Sequence, residues 1–153
     1  MGAVVRDVQL HVLRVIVVDD GSTDATGLEA AAAGAEVIRH PNNRGKGAAL
    51  RTGLARAQEL GFDWALMLDG DGQHAVGDVP NFFAAVARSG ADLVVGNRLG
   101  SADRMPFVRR QVNRWMTSQL SRMTGRPLSD SQCGFRLVKL AAWAQKQTGG
   151  AVP

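Results

Sequence analysis

The sequence predicts an α/β protein in which a mainly parallel sheet carries helices on both faces. Three observations lead there. Short apolar runs recur at 14–19, 35–40, 63–69 and 91–97, and they read as strands buried on both sides. Stretches with apolar residues at helical spacing lie between them. Turn residues, many of them drawn from 18 glycines, separate the two kinds of segment. Strands that alternate with helices at this interval pack side by side in parallel, because each helix carries the chain back to the sheet's starting edge.

Each element has its own warrant. Val4, Val5, Val8, Val12 and Leu13 fit a short helix over 4–13, although valine is stiff in helices. "RVIVVD" (14–19) is the first clear strand. Ser22 or Thr23 can cap a helix that runs to Ala33, and Gly34 ends it. "AEVIRH" (35–40) is the second strand and "PNNRGKG" (41–47) a loop. Leu50, Leu54 and Ala57 then share one helical face until Gly61. "DWALMLD" (63–69) is the third strand, "DGQHAVGD" (71–78) a loop, 79–89 a helix and "ADLVVGN" (91–97) the fourth strand. A long amphipathic helix follows at 106–124, then "LSDSQCGFR" (128–136) and a final helical stretch.

At 153 residues and 45% hydrophobic, the chain suits one domain with a real core. Charge divides it into halves. Residues 1–97 hold 8 Lys/Arg against 12 Asp/Glu, whereas 98–139 hold 9 against 2. An acidic half (1–97) beside a basic half (98–153) suggests a metal-binding side and an anion-binding side, unless the basic half is a solvated helix face. The single cysteine, Cys133, excludes an internal disulfide and fits a reducing compartment. No apolar run reaches the roughly 18 residues that cross a bilayer, and Arg6, Asp7 and His11 break up any signal peptide. The composition points to the cytoplasm.

In a parallel sheet, ligands sit beyond the carboxyl ends of the strands, and the acids gather there. Asp19 and Asp20 end the first strand; Asp69 and Asp71 end or follow the third. Carboxylates two residues apart, with Gln73 continuing the alternation, can supply oxygen ligands to one hard divalent cation. An EF-hand loop would need Gly at 74 and Glu at 80, where the chain has His74 and Pro80. His74 can face the same site, whereas His11 and His40 have no evident catalytic partner. "NNRGKG" (42–47) is a basic, glycine-bracketed loop opening a helix, a place for an anion, but it lacks the P-loop arrangement. Arg98 lies just past the fourth strand on the same rim, and Arg110 and Arg114 share a helical face. Arginine's planar fork suits phosphate. Cys133 sits among apolar neighbours and reads as buried rather than reactive.

Five blocks, in order, carry a resemblance: "VIVVDDGSTDAT", "NNRGKGAALRTGL", "ALMLDGDGQH", "ADLVVGNR" and "LSDSQCGFR". Across about residues 14–139 the chain resembles an inverting family 2 glycosyltransferase of GT-A (Rossmann-like) fold. Within that family it is most similar to polyprenyl-phosphate (dolichyl-phosphate) sugar synthases. The resemblance implies transfer of a sugar from a nucleoside-diphosphate sugar, of UDP or GDP type, to an acceptor such as a polyprenyl phosphate. It implies that Asp20 contacts the nucleotide with Asp19 and Gly21 beside it, and that Lys46 and Asp69 border the donor. Asp69, Asp71 and Gln73 would hold Mg²⁺ or Mn²⁺. Arg98 and Arg110 would meet phosphate, and Asp130 with Gln132 would line the acceptor side, making Asp130 and Arg98 the candidate catalytic residues. Nucleic acid is not among the implied partners. The helix at 106–124 either rests on the inner face of an anionic membrane or packs on the core with a solvated basic face.

Two departures from the family pattern are expected to matter. The family starts with a further strand and an N-E segment, and residues 3–13 resemble the tail of the helix that follows it. At the other end the chain stops soon after "GFRLVKL". The expectation is therefore a single GT-A domain, 1–153, truncated at both ends, or else a non-catalytic remnant that binds nucleotide. A signalling receiver domain also pairs acids after one strand with an acceptor Asp after another, but it leaves the D-x-D-x-Q run and Arg98 without a role.

Overall fold

The computed structural model describes residues 1–72, 74–96 and 133–148. In chain order these form α1 (Gly2–Gln9), β1 (Ile16–Asp19), α2 (Thr26–Ala32), β2 (Glu36–Arg39), α3 (Lys46–Glu59), β3 (Trp64–Met67), α4 (Val79–Ser89), β4 (Leu93–Val95), β5 (Arg136–Lys139) and α5 (Leu140–Thr148). A 3₁₀ turn, Val76–Asp78, leads into α4. β1 and β2 pair in parallel. β3 and β4 run the same way as each other, with β5 between them and antiparallel to both. The α/β class holds, and the alternation of strand and helix from β1 to β4 is the expected one.

β5 is the departure. The stretch after "CGFR" begins as an extended strand before turning helical at Leu140. Its register sets Leu137 opposite Leu66 on one side and Val94 on the other. Leu137 is fully buried between the two flanking strands, so a segment with only Leu137 and Val138 between Arg136 and Lys139 is drawn into the centre of a sheet.

Side-chain alternation shows why helices cover both faces. Trp64, Leu66 and Leu68, with Leu137, pack toward Val79 and Phe82 of α4, joined by Cys133 and Phe135. Ala65, Met67 and Val138 point the other way, toward Leu54 and Ala57 of α3 and Leu140 and Trp143 of α5. Leu137 is fully buried, and the Phe82 and Phe135 rings pack at a tilt with centroids 4.4 Å apart. Between β1 and β3 lies a cavity of about 590 Å³, lined by Ile16, Val18, Leu54, Trp64 and Leu66, with Lys46 and Asp69 at its rim.

Helix boundaries shift for local reasons. α1 occupies 2–9 rather than 4–13; Val5 and Val8 are buried, while Leu13 is 96% exposed. α2 starts at Thr26 rather than after Ser22, because the Ser22 amide donates to Asp19 Oδ1 (2.8 Å) and the Thr26 amide to Asp24 Oδ1 (2.9 Å). These side-chain acceptors hold 20–25 as turns before the helix can begin. α3 starts earlier than the periodicity suggested, at Lys46. α4 matches its expected 79–89 span, with Pro80 in the first turn and Gly90 left-handed at φ +62°.

Candidate functional site

The two acids at the end of β1 divide their work. Asp19 turns inward: its side chain is fully buried, one oxygen takes the Ser22 amide, and the other has no hydrogen-bond partner, with Arg39 Nε 3.6 Å away. Gly27 makes room for it, since a Cβ there would lie 2.8 Å from Asp19 Oδ2. Asp20 turns toward the next loop. Its Oδ1 receives the Arg44 amide (3.0 Å) and its Oδ2 the Gly45 amide (2.8 Å), while His40 Nδ1 lies 2.6 Å from Oδ1. The anion held by the glycine loop is therefore Asp20 itself. Gly21, at φ +81°, allows the backbone of Asn42 and Asn43 to approach; a Cβ would meet both at 2.7 Å.

From this latch the chain enters α3, whose first residue reaches across the rim. Lys46 Nζ lies 2.6 Å from Asp69 Oδ1. Asp69 stands two residues beyond β3, with His74 Nε2 3.9 Å from its other oxygen. His74 is buried against the Phe135 ring at 5.2 Å. Gly134 closes the far side, so near Asp69 that an added Cβ would stand 2.7 Å from Asp69 Cγ. Asp71 follows in an exposed turn. Gln73, Arg98, Arg110, Asp130 and Gln132 lie outside the described residues. Among the described residues no three of His, Cys, Asp and Glu gather as a metal cluster, and no helix is long and apolar enough to cross a membrane. A divalent cation nevertheless fits the donor set. Asp69 and Asp71 stand two residues apart in the sequence, and Asp69 already holds a positive charge, the Lys46 ammonium, at contact distance.

A family model described as "Glycosyl transferase family 2" matches residues 4–143. The chain belongs to that family. It is 33% identical over 108 residues to the UDP-N-acetylglucosamine–dolichyl-phosphate N-acetylglucosaminyltransferase of Methanococcus voltae, covering 69% of this chain and 43% of that one. It is 34% identical over 131 residues to the undecaprenyl-phosphate mannosyltransferase of Micrococcus luteus, covering 80% and 53%. Among solved structures, the M. tuberculosis glucosyl-3-phosphoglycerate synthase matches with a TM-score of 0.69 at 25% identity, over 92% of this chain and 52% of that one. The chain spans about half the length of the relatives it matches.

In this family 2 glycosyltransferase domain the acids have two neighbours that their spacing does not reveal, one of them His40, which the sequence left without an evident partner. His40 is 4% exposed and touches Asp20 on one side and Thr52 Oγ1 (3.0 Å) on the other. Its position at the carboxyl end of the second strand, on the rim that carries the acids, is the available signal. Gly134 passed as part of a motif, although its lack of a side chain is what admits Asp69. Cys133 is buried and free, as expected.

The rim carboxylates also set the domain's response to acid. Asp19 is held below its ordinary 3.8 chiefly by hydrogen bonds from Ser22, and Asp20 by His40 and the Arg44 amide. Asp24 (through Thr26), Glu29 (through the N-terminal amine) and Glu36 (through Arg56) are lowered too. A carboxyl lowered on folding makes the unfolded chain bind more protons between the two values, so stability rises with pH there and is flat above. Melting temperature should stay level from pH 7 to about 5 and fall below about pH 4 as these groups protonate. A melting temperature that rose on acidification would contradict this.

Proposed function

We propose that this domain performs the donor-side work of metal-dependent, inverting sugar transfer from a UDP- or GDP-sugar to a polyprenyl phosphate. The observation that carries the proposal is the rim contact between Lys46 of the glycine loop and Asp69 after β3, in a chain whose family is that of glycosyltransferases. Relatives named for dolichyl and undecaprenyl phosphate support the acceptor class.

The reaction breaks the bond between the sugar's anomeric carbon and the diphosphate, so negative charge grows on the leaving oxygens. Groups placed at that charge stabilise the transition state more than the ground state. Asp69, Asp71 and Gln73 would hold Mg²⁺ or Mn²⁺, which when bound neutralises the departing diphosphate. Lys46, released from Asp69, moves its ammonium onto a phosphate oxygen. Asp20 and Gly21 shape the nucleoside end, and Asp19, buried under α2, supports them. Arg98 and Arg110 meet phosphate, and Gln132 lines the acceptor side. A lipid phosphate is ionised at neutral pH and needs no general base; for an alcohol acceptor, Asp130 would take the proton. Peripheral contact with an anionic membrane inner face, through 106–124, would bring that acceptor to the rim.

Calorimetry with UDP and GDP, each with Mn²⁺ and with EDTA, tests the donor half. Metal-dependent binding of one nucleotide is the expected result, and no binding of either overturns the reading. Sugar transfer to polyprenyl phosphate by the same polypeptide tests the rest; nucleotide binding without transfer would assign it as a non-catalytic remnant.

A further inference from the structure

We infer that His40 is a positioning residue of the donor rim and that it acts by orienting Asp20. The inference rests on the donor-site reading above for its consequence, though not for its geometry. His40 leaves β2 with its amide bonded to the Asp19 carbonyl (2.9 Å), which fixes its backbone beside the acids. Its ring is buried and bridges two elements, with Nδ1 2.6 Å from Asp20 Oδ1 and Nε2 3.0 Å from Thr52 Oγ1 on α3. Asp20 is a carboxylate without a proton to donate, so the proton in the short contact sits on Nδ1. In its neutral form the ring is then the Nδ1–H tautomer, whose Nε2 can accept from the Thr52 hydroxyl.

This pins Asp20 in the one orientation that serves the loop. With Oδ1 drawn toward His40, the same oxygen meets the Arg44 amide and Oδ2 meets the Gly45 amide. Those two amides stand immediately before α3, whose first side chain, Lys46, spans the rim to Asp69. Without the ring, Asp20 can rotate toward water and release Arg44. The Gly45 amide has a second acceptor in Asn43 Oδ1 (2.9 Å), so Arg44 is the sharper probe. His40 acts through Asp20 and the Arg44 and Gly45 amides, and so fixes where the helix that carries Lys46 begins.

Amide hydrogen exchange and nucleotide calorimetry on His40→Ala and His40→Asn test this. In His40→Ala the Arg44 amide should exchange about tenfold faster relative to Val17 and Val18, the scale of one lost hydrogen bond to a charged group. UDP or GDP should bind more weakly by a similar factor. Asparagine keeps a donor near the Nδ1 position and should bring exchange back to within about threefold of wild type. Should the alanine variant fail to fold, Thr52→Val removes the ring's other anchor and should quicken Arg44 exchange less strongly. Equal acceleration at Val17, Val18 and Arg44, no recovery with asparagine, or nitrogen NMR showing a neutral Nε2–H tautomer would each overturn the inference. If the wild type binds neither nucleotide, the donor reading fails, while the exchange ratio still decides the role of His40.

Discussion

Asp69→Asn should lose metal-dependent binding of a nucleoside diphosphate by at least about 100-fold, since loss of even an outer-shell partner costs metal sites about 10–100-fold. Asparagine preserves the size of the side chain and one carbonyl oxygen but removes the charge, and a hard divalent cation is held chiefly by charge. The fold should hardly notice. The Lys46–Asp69 pair is 59% and 30% exposed on its two sides, and exposed ion pairs contribute about 0–1 kcal/mol. The separated Lys46 ammonium would be solvated. Calorimetry with Mn²⁺ and thermal melting, run on the same preparations, check both halves of the expectation. Wild-type nucleotide affinity in the variant would remove Asp69 from the metal site.

Why the carboxylates were legible while their setting was not follows from the range of the forces involved. Asp19, Asp20, Asp69 and Asp71 stand out because charge at the end of an apolar run conflicts with burial, and such local conflicts mark sites. β1 to β4 and the helices between them rest on periodicities confined to a few turns. β5 does not. Arg136–Lys139 offers only two apolar residues, and it is a strand because β3 and β4, far away in sequence, leave a place between them. α2 began late for a reason equally hidden, the capture of the Ser22 amide by Asp19. His40 finds one partner 20 residues upstream and the other 12 downstream, and spacing alone does not reveal a bridge of that kind. The division of labour between adjacent acids, one fixing the turn before α2 and one gripping the next loop, likewise depends on rotamers.

Gly134 binds the two ends of the chain's chemistry together, and Gly134→Ala is the second substitution expected to act strongly. The added methyl would overlap the Asp69 carboxylate, standing 2.7 Å from Cγ, well inside van der Waals contact. Backbone at 134 is anchored on both sides: the Cys133 carbonyl accepts from Arg136 Nε (2.8 Å), and the Phe135 carbonyl accepts the Gly96 amide (2.8 Å). Phe135 is itself clamped between Phe82 and His74. The carboxylate must therefore give way, leaving Lys46 and the place where it would meet a cation. Nucleotide affinity in the presence of Mn²⁺ should fall about 10–100-fold, approaching the loss in Asp69→Asn although no ligand has been removed. Stability should fall as well, by about 1–3 kcal/mol, the usual cost of overpacking. A double-mutant cycle separates this collision from any unrelated effect of alanine at 134. In an Asp69→Ala background the three atoms nearest the methyl are gone, so Gly134→Ala should cost less stability there. An equal cost in both backgrounds would show that the glycine serves the backbone of 133–135 rather than the carboxylate facing it.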